Sequence, residues 1–217
     1  MTAQYTKTKK IRFKDDGFSI LELIAVLMIS TVIFLGASIA VSTFLLKFQE
    51  LQRISVLNRE AFNCLQVIKH GVTVEIGGKT QFMGVTNANE AELSGNFIDG
   101  GGRTALILKP PVSHSDYSSH DEIKIYTSDG YVRYDQYVFG AEHTISRERY
   151  IFPKLVSSKN RIMEVTKLTF RNINPTANTL KVVKVELEAR IEISRAEKGK
   201  RNYHTVRYET LMAIGKM

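Results

Sequence analysis

From residue 23 to residue 46 the chain runs for 24 consecutive positions without Asp, Glu, Lys, Arg or His. No other feature narrows the possible folds so much. At ~1.5 Å per residue a helix of this run reaches about 36 Å, enough to cross a hydrocarbon core of roughly 30 Å with some tilt. It is too long for the apolar part of a cleavable secretory signal, which covers about 7–15 residues. Lys7, Lys9, Lys10, Arg12 and Lys14 precede it against Asp15 and Asp16, and only Lys47 follows closely. The positive-inside rule therefore predicts a single-pass protein of the cytoplasmic membrane, its N-terminus cytoplasmic and the rest exported.

The helical pattern does not stop at the apolar run. Phe48, Leu51, Ile54, Leu57, Phe62, Leu65 and Ile68 keep a helical period, with Lys47, Glu50, Arg53, Arg59 and Glu60 on the other side, so residues 47–71 read as an amphipathic half suited to lie on a sheet. Gly71 is the expected stop. Counted from residue 18 to 70, such a helix would measure about 80 Å if unbroken.

Beyond Gly71 the texture changes to short β-branched and aromatic runs separated by Gly, Asn, Asp and Ser. Strands are expected at 72–76, 104–108, 122–126, 131–139, 149–152, 165–170, 182–193 and 203–214. In 183–193 every odd position is apolar and nearly every even one charged, the mark of a strand with one buried and one wet face. Ser128-Asp129-Gly130 predicts a tight hairpin. Residues 77–102 read as a series of polar or Gly-rich breaks, and 110–120 as a loop. The expected fold class is α+β: a long N-terminal helix, half transmembrane and half amphipathic, packed on a mainly antiparallel sheet in 72–217.

The bulk composition, 43% hydrophobic and 24% charged, allows one sizeable core and excludes a disordered or collagen-like chain. A lone Cys64 excludes an intrachain disulfide framework. Net charge is +8, but five of the basic groups stand before residue 18, and the scattered remainder does not by itself argue for nucleic acid.

Catalytic patterns are thin. His70, His114, His120, His143 and His204 lack metal-ligand spacing, and Cys64 reads as a small buried residue. Asp99-Gly100-Gly101-Gly102-Arg103 lacks the ending of a phosphate-binding loop. Ser113, Ser115, Ser118 and Ser119 sit in no nucleophile elbow. Asp116, Asp121 and Glu122 read as a solvated loop rather than a calcium site. Lys198, Lys200 and Arg201 make a basic hairpin tip, the best patch for an acidic partner or DNA. No enzyme, cofactor or metal is expected.

The stretch Asp15-Asp16-Gly17-Phe18-Ser19-Ile20-Leu21-Glu22 is the informative one. A carboxylate stands at the head of an apolar helix, after a Gly-Phe junction and a basic leader, where an ionised group needs a partner. The segment resembles the class III signal of type IV pilins and type II secretion pseudopilins. That resemblance implies a leader, 1–17, cut between Gly17 and Phe18 by a prepilin peptidase that also N-methylates Phe18. It implies a filament-core helix, 18–46, in which Glu22 pairs with a neighbouring subunit's terminal amine. Asp15 and Asp16 stand where many members have a basic residue, and the apolar run lacks the Pro common in major pilins. The first bears on how efficiently the junction is cut; the second, with the chain length, favours a minor subunit.

The order of alternating segments around Val132, Val165 and Val182 is similar to that of the PulJ- and PilW-like minor pilins. The resemblance implies as partners the prepilin peptidase, other minor and major pilins or pseudopilins, an inner-membrane assembly platform and membrane lipid. It implies a site at or near the tip of a secretion pseudopilus or a pilus. A DNA-uptake pseudopilus, the one case with a nucleic-acid partner, is the first alternative; a membrane-anchored extracytoplasmic enzyme or ligand-binding domain is the second.

Overall fold

A computed structural model describes residues 19–76, 79–98, 101–110, 122–139, 144–153, 162–174, 180–195 and 201–215. Its elements are one helix, α1 (Ile20–His70), and ten strands: β1 (Val72–Ile76), β2 (Lys79–Met83), β3 (Glu90–Ile98), β4 (Gly102–Lys109), β5 (Glu122–Ser128), β6 (Tyr131–Phe139), β7 (Thr144–Phe152), β8 (Met163–Asn172), β9 (Val182–Arg195) and β10 (Arg201–Ala213). The class is α+β, one long N-terminal apolar helix followed by a mostly antiparallel sheet domain. The chain divides into two units between Phe48 and Gln49.

The described part of the first unit is the N-terminal part of α1. Its large apolar side chains are exposed throughout, and the segment is long and apolar enough to cross a membrane. The hydroxyls of Ser30, Thr31, Ser38 and Thr43 donate to the carbonyls four residues earlier, at 2.7, 2.7, 2.8 and 2.9 Å. Every one of these polar groups is satisfied within the helix, which removes the main cost of placing it against an apolar surround.

The second unit is built on an eight-stranded sheet in the order β10-β9-β8-β4-β5-β6-β7, with β3 paired to β4. A separate β1–β2 hairpin completes it. All pairings in the large sheet are antiparallel, so among the described residues its three open edges, β3, β7 and β10, run in the same direction.

Leu57, Ala61, Cys64, Leu65 and Ile68 of α1 enter one core with Leu106, Ile123, Phe170, Val185 and Leu187. Their spacing is a helical stripe that contains Leu57, Leu65 and Ile68 of the expected period but not all of its large apolar residues. Leu51 and Phe62 are 64% and 53% exposed, and Ala61 and Cys64 are buried in their place. Small residues allow closer approach of a helix to a sheet, and polar ties complete the seat. The Tyr208 hydroxyl donates to Asn58 Oδ1 at 2.8 Å, and Arg53 donates to the Ile193 carbonyl at 2.8 Å.

Gly71 ends α1 with φ +89°, its amide bonding the Val67 carbonyl at 2.7 Å. The Thr86 hydroxyl donates to the Lys69 carbonyl at 2.9 Å, and Asn87 reaches the His70 carbonyl at 3.5 Å. Residues Val85–Asn87 form a short 3-10 turn that serves as the C-cap of α1. The reading of 77–102 as polar or Gly-rich breaks, with no strand assigned, is therefore corrected, since β2, this turn and β3 lie there. Strand β3 carries a register shift between Ser94 and Phe97, with Gly95 at φ +82°. That bulge disrupts the alternation by which a strand is read.

Candidate functional site

Gly17 and Phe18, the expected cleavage and methylation positions, lie outside the described residues. Glu22 lies in the first turn of α1. The Ser19 amide donates to Glu22 Oε2 at 2.9 Å, and the Glu22 amide donates to Ser19 Oγ at 3.2 Å. This is a reciprocal capping box, which satisfies two of the amides that a helix start leaves open. The Ser-x-x-Glu spacing that produces it is visible in the sequence, but Ser19 was not among the expected site residues.

The geometry gives Glu22 a defined chemistry. Its carboxylate sits at the positive end of the helix dipole and is held by one amide, while Oε1 makes no hydrogen bond among the described residues. It can therefore accept a further donor without breaking the cap. A cationic donor suits this place best, since a charge-assisted bond is about twice as strong as a neutral one.

Another polar cluster among the described residues lies on β5 and β6. Asp135 is 1% exposed and accepts the Tyr126 hydroxyl at 2.6 Å. Arg133 lies 3.5 Å from it, with its guanidinium 5.4 and 5.3 Å from the ring centres of Tyr126 and Tyr150. Burial, and then the bond to Asp135, push the Tyr126 phenol well above its usual range. Burial does the same to Tyr134 and to the Cys64 thiol. All three stay protonated at neutral pH, so none is a nucleophile or base there.

Among the described residues the other sequence candidates do not converge. His70 ends α1 and His204 lies on β10, whereas His114, His120 and His143 lie outside the described residues. So do Asp116 and Asp121; Glu122 opens β5. Among the described residues no group of three His, Cys, Asp or Glu side chains is placed to hold a metal ion. Arg103, next to the Gly-rich turn, stacks 3.2 Å over the Phe97 ring and donates to the Gly95 carbonyl at 2.9 Å. Its charge is used to hold a hairpin. Of the basic tip, Arg201 lies 3.6 Å from Glu192, while Lys198 and Lys200 are outside the described residues. Comparison with family models, with curated proteins and with solved structures returns no match for this chain.

Proposed function

We propose that this chain is a minor pilin or pseudopilin: a membrane-stored, non-enzymatic subunit that is cut between Gly17 and Phe18, methylated on Phe18 and assembled through its N-terminal helix into a secretion pseudopilus or pilus. The observation that carries the reading is Glu22. It is the one charged group in the apolar part of α1, and its carboxylate is presented at the helix start with an oxygen to spare.

The mechanism follows from the cost of that charge. While the subunit waits, residues 18–46 anchor it in the membrane, N-terminus inside. An ionised side chain mid-bilayer costs about 2.5–3.5 kcal/mol on insertion scales, and less near the interface; the bond from Ser19 lowers that cost further. On assembly the apolar surface exchanges lipid for other subunits' helices, a swap with little net hydrophobic gain. Register must come from a directional contact, and a neighbour's methylated terminal amine on Glu22 supplies one. Among the described residues all three open edges of the sheet run one way, so copies of this fold in a single orientation could pair these edges only in parallel, the slightly weaker ladder.

N-terminal peptide mass analysis in the native host tests the processing: the mature chain is expected to begin at N-methylated Phe18. Retention of residues 1–17 in cells with an active prepilin peptidase refutes it. Glu22→Leu should insert in the membrane as well as wild type, or better, yet be lost from sheared filaments or cross-linked minor-subunit complexes. Equal recovery of the two would sink the assembly role of Glu22.

A further inference from the structure

On β9 the side chains of Val183, Val185, Leu187, Ala189 and Ile191 enter the core, so Val182, Lys184, Glu186, Glu188 and Arg190 occupy the opposite face. Glu186 is only 3% exposed there, covered by cations. Arg207 Nη2 lies 3.4 Å from its carboxylate, Lys167 Nζ 3.5 Å, Lys184 Nζ 3.6 Å and Arg171 Nε 3.9 Å. Thr169 Oγ1 adds a bond at 3.4 Å. Lys184 also pairs with Glu209. Glu188 stands opposite both Arg207 and Lys167 in register, so four cations share three carboxylates, an excess of one positive charge. An arginine carries five donors and a lysine three, more than three carboxylates accept. Arg171 Nε is buried without a hydrogen-bond partner, and Arg207, at 59% exposed, carries the excess charge to the surface.

An apolar groove adjoins this cluster in register. Lys184 stands opposite Leu211, and the next outward-facing pair is Val182 with Ala213. Val182, Leu211 and Ala213 line an open groove of about 610 Å³, with Lys69 on its rim. Leu211 is 60% exposed, unusual for a leucine in the middle of a charged face. The volume lies within the range of ligand sites, roughly 300–1,000 Å³.

We infer that this face docks an acidic segment of a partner protein, one carboxylate seating on Arg207, Lys167, Arg171 and Lys184 while a neighbouring apolar side chain fills the groove at Leu211. Glu186 acts as the internal counter-ion that gathers the cations at one point. Nucleic acid fits this face less well. Its backbone carries a charge every ~1.7 Å of duplex axis and needs a continuous row of cations, whereas Glu188 and Glu192 follow along β9, and Arg190 between them is paired with Glu164 of β8. A single carboxylate beside an apolar group meets no such conflict. The inference does not depend on the pilin reading and holds equally for any extracytoplasmic domain of this fold.

The test uses the full chain in non-ionic detergent micelles and a fluorescein-labelled peptide of alternating glutamate and leucine, read by anisotropy. Saturable, salt-sensitive binding is expected, weaker for an all-glutamate peptide of the same length and absent for alternating lysine and leucine. Arg207→Ala should weaken binding about tenfold, the scale of one charge-assisted bond, and Arg207→Glu more. Leu211→Ser should erase the advantage of the leucine-bearing peptide while leaving the all-glutamate affinity unchanged. Lys167→Ala provides a second charge deletion should Arg207→Ala fail to fold. The inference is overturned if neither acidic peptide saturates, or if the charge deletions leave affinity unchanged. It is also overturned if a thymidine oligonucleotide or vesicles of anionic lipid bind more tightly than the peptides with the same dependence on Arg207.

Discussion

Replacing Gly71 by alanine should be among the most damaging single changes in the sheet-bearing unit, and two separable effects set its size. Gly71 adopts φ +89°, a left-handed conformation that costs a residue with a Cβ roughly 1–2 kcal/mol. A Cβ placed on it would also fall well inside contact distance of the Met83 carbonyl group and the Gly84 amide, backbone atoms that cannot swing away. Overpacking of this kind costs about 1–3 kcal/mol. The two together give roughly 2–5 kcal/mol, which at ~2–4 °C per kcal/mol for a unit of this size lowers Tm by about 4–20 °C. Gly84 separates the terms. It is extended, with φ −146°, so alanine there is free of conformational cost, yet its Cβ would collide with the Gly71 amide and the His70 carbonyl carbon. Gly84→Ala should therefore lose only the steric part, about 1–3 kcal/mol. Thermal unfolding of both variants in detergent, followed by circular dichroism in the β region, measures the two losses. A Gly71→Ala protein melting within about 2 °C of wild type would refute the close backbone crossing at the end of α1.

Acidification tests the charge cluster on β8–β10. Burial opposes the Glu186 charge, but Arg171, Lys167 and Arg207 outweigh it and hold its pKa below the usual carboxylate range. A lowered folded pKa means stability that is present above the unfolded value near ~4.3 and is lost as pH falls through the folded one. Glu186→Gln should cost about 1–3 kcal/mol at neutral pH, less than a fully buried pair because Arg207 and Lys167 reach solvent, and its stability should fall less steeply in acid; parallel pH profiles for the two proteins would contradict this. Leu57→Ala should cost about 2–5 kcal/mol and Leu51→Ala under ~0.5 kcal/mol, so similar melting temperatures would mean that α1 seats on the sheet through another stripe. The buried Cys64 thiol, its pKa raised by burial, should stay unmodified by maleimide in the native protein and react fully in denaturant. Labelling at equal rates in both states would place it at the surface.

Local chemistry was enough to expose the parts of this protein that depend on near neighbours. An uncharged run has one economical conformation in an apolar surround, the helix, and the pattern runs on to Gly71 because nothing before it breaks the period. The strict alternation in 183–193 similarly declares a strand with one buried face, and β9 covers it. Glu22 stands out for the same reason, since a lone carboxylate among apolar residues is conspicuous in one dimension. Distant partners decided the rest. Phe62 and Leu51 satisfy the helical period as well as Leu57 and Leu65 do, and only the approach of the sheet selects which of them are buried. Strand β3 is hidden by its bulge until β4 supplies the complementary edge. Glu186 looks like one more wet residue on the charged face of β9, because its burial is made by Lys167 and Arg171 from one neighbouring strand and Arg207 from the other. Periodicity records which face a residue takes, whereas the register between strands far apart in sequence determines what that face meets.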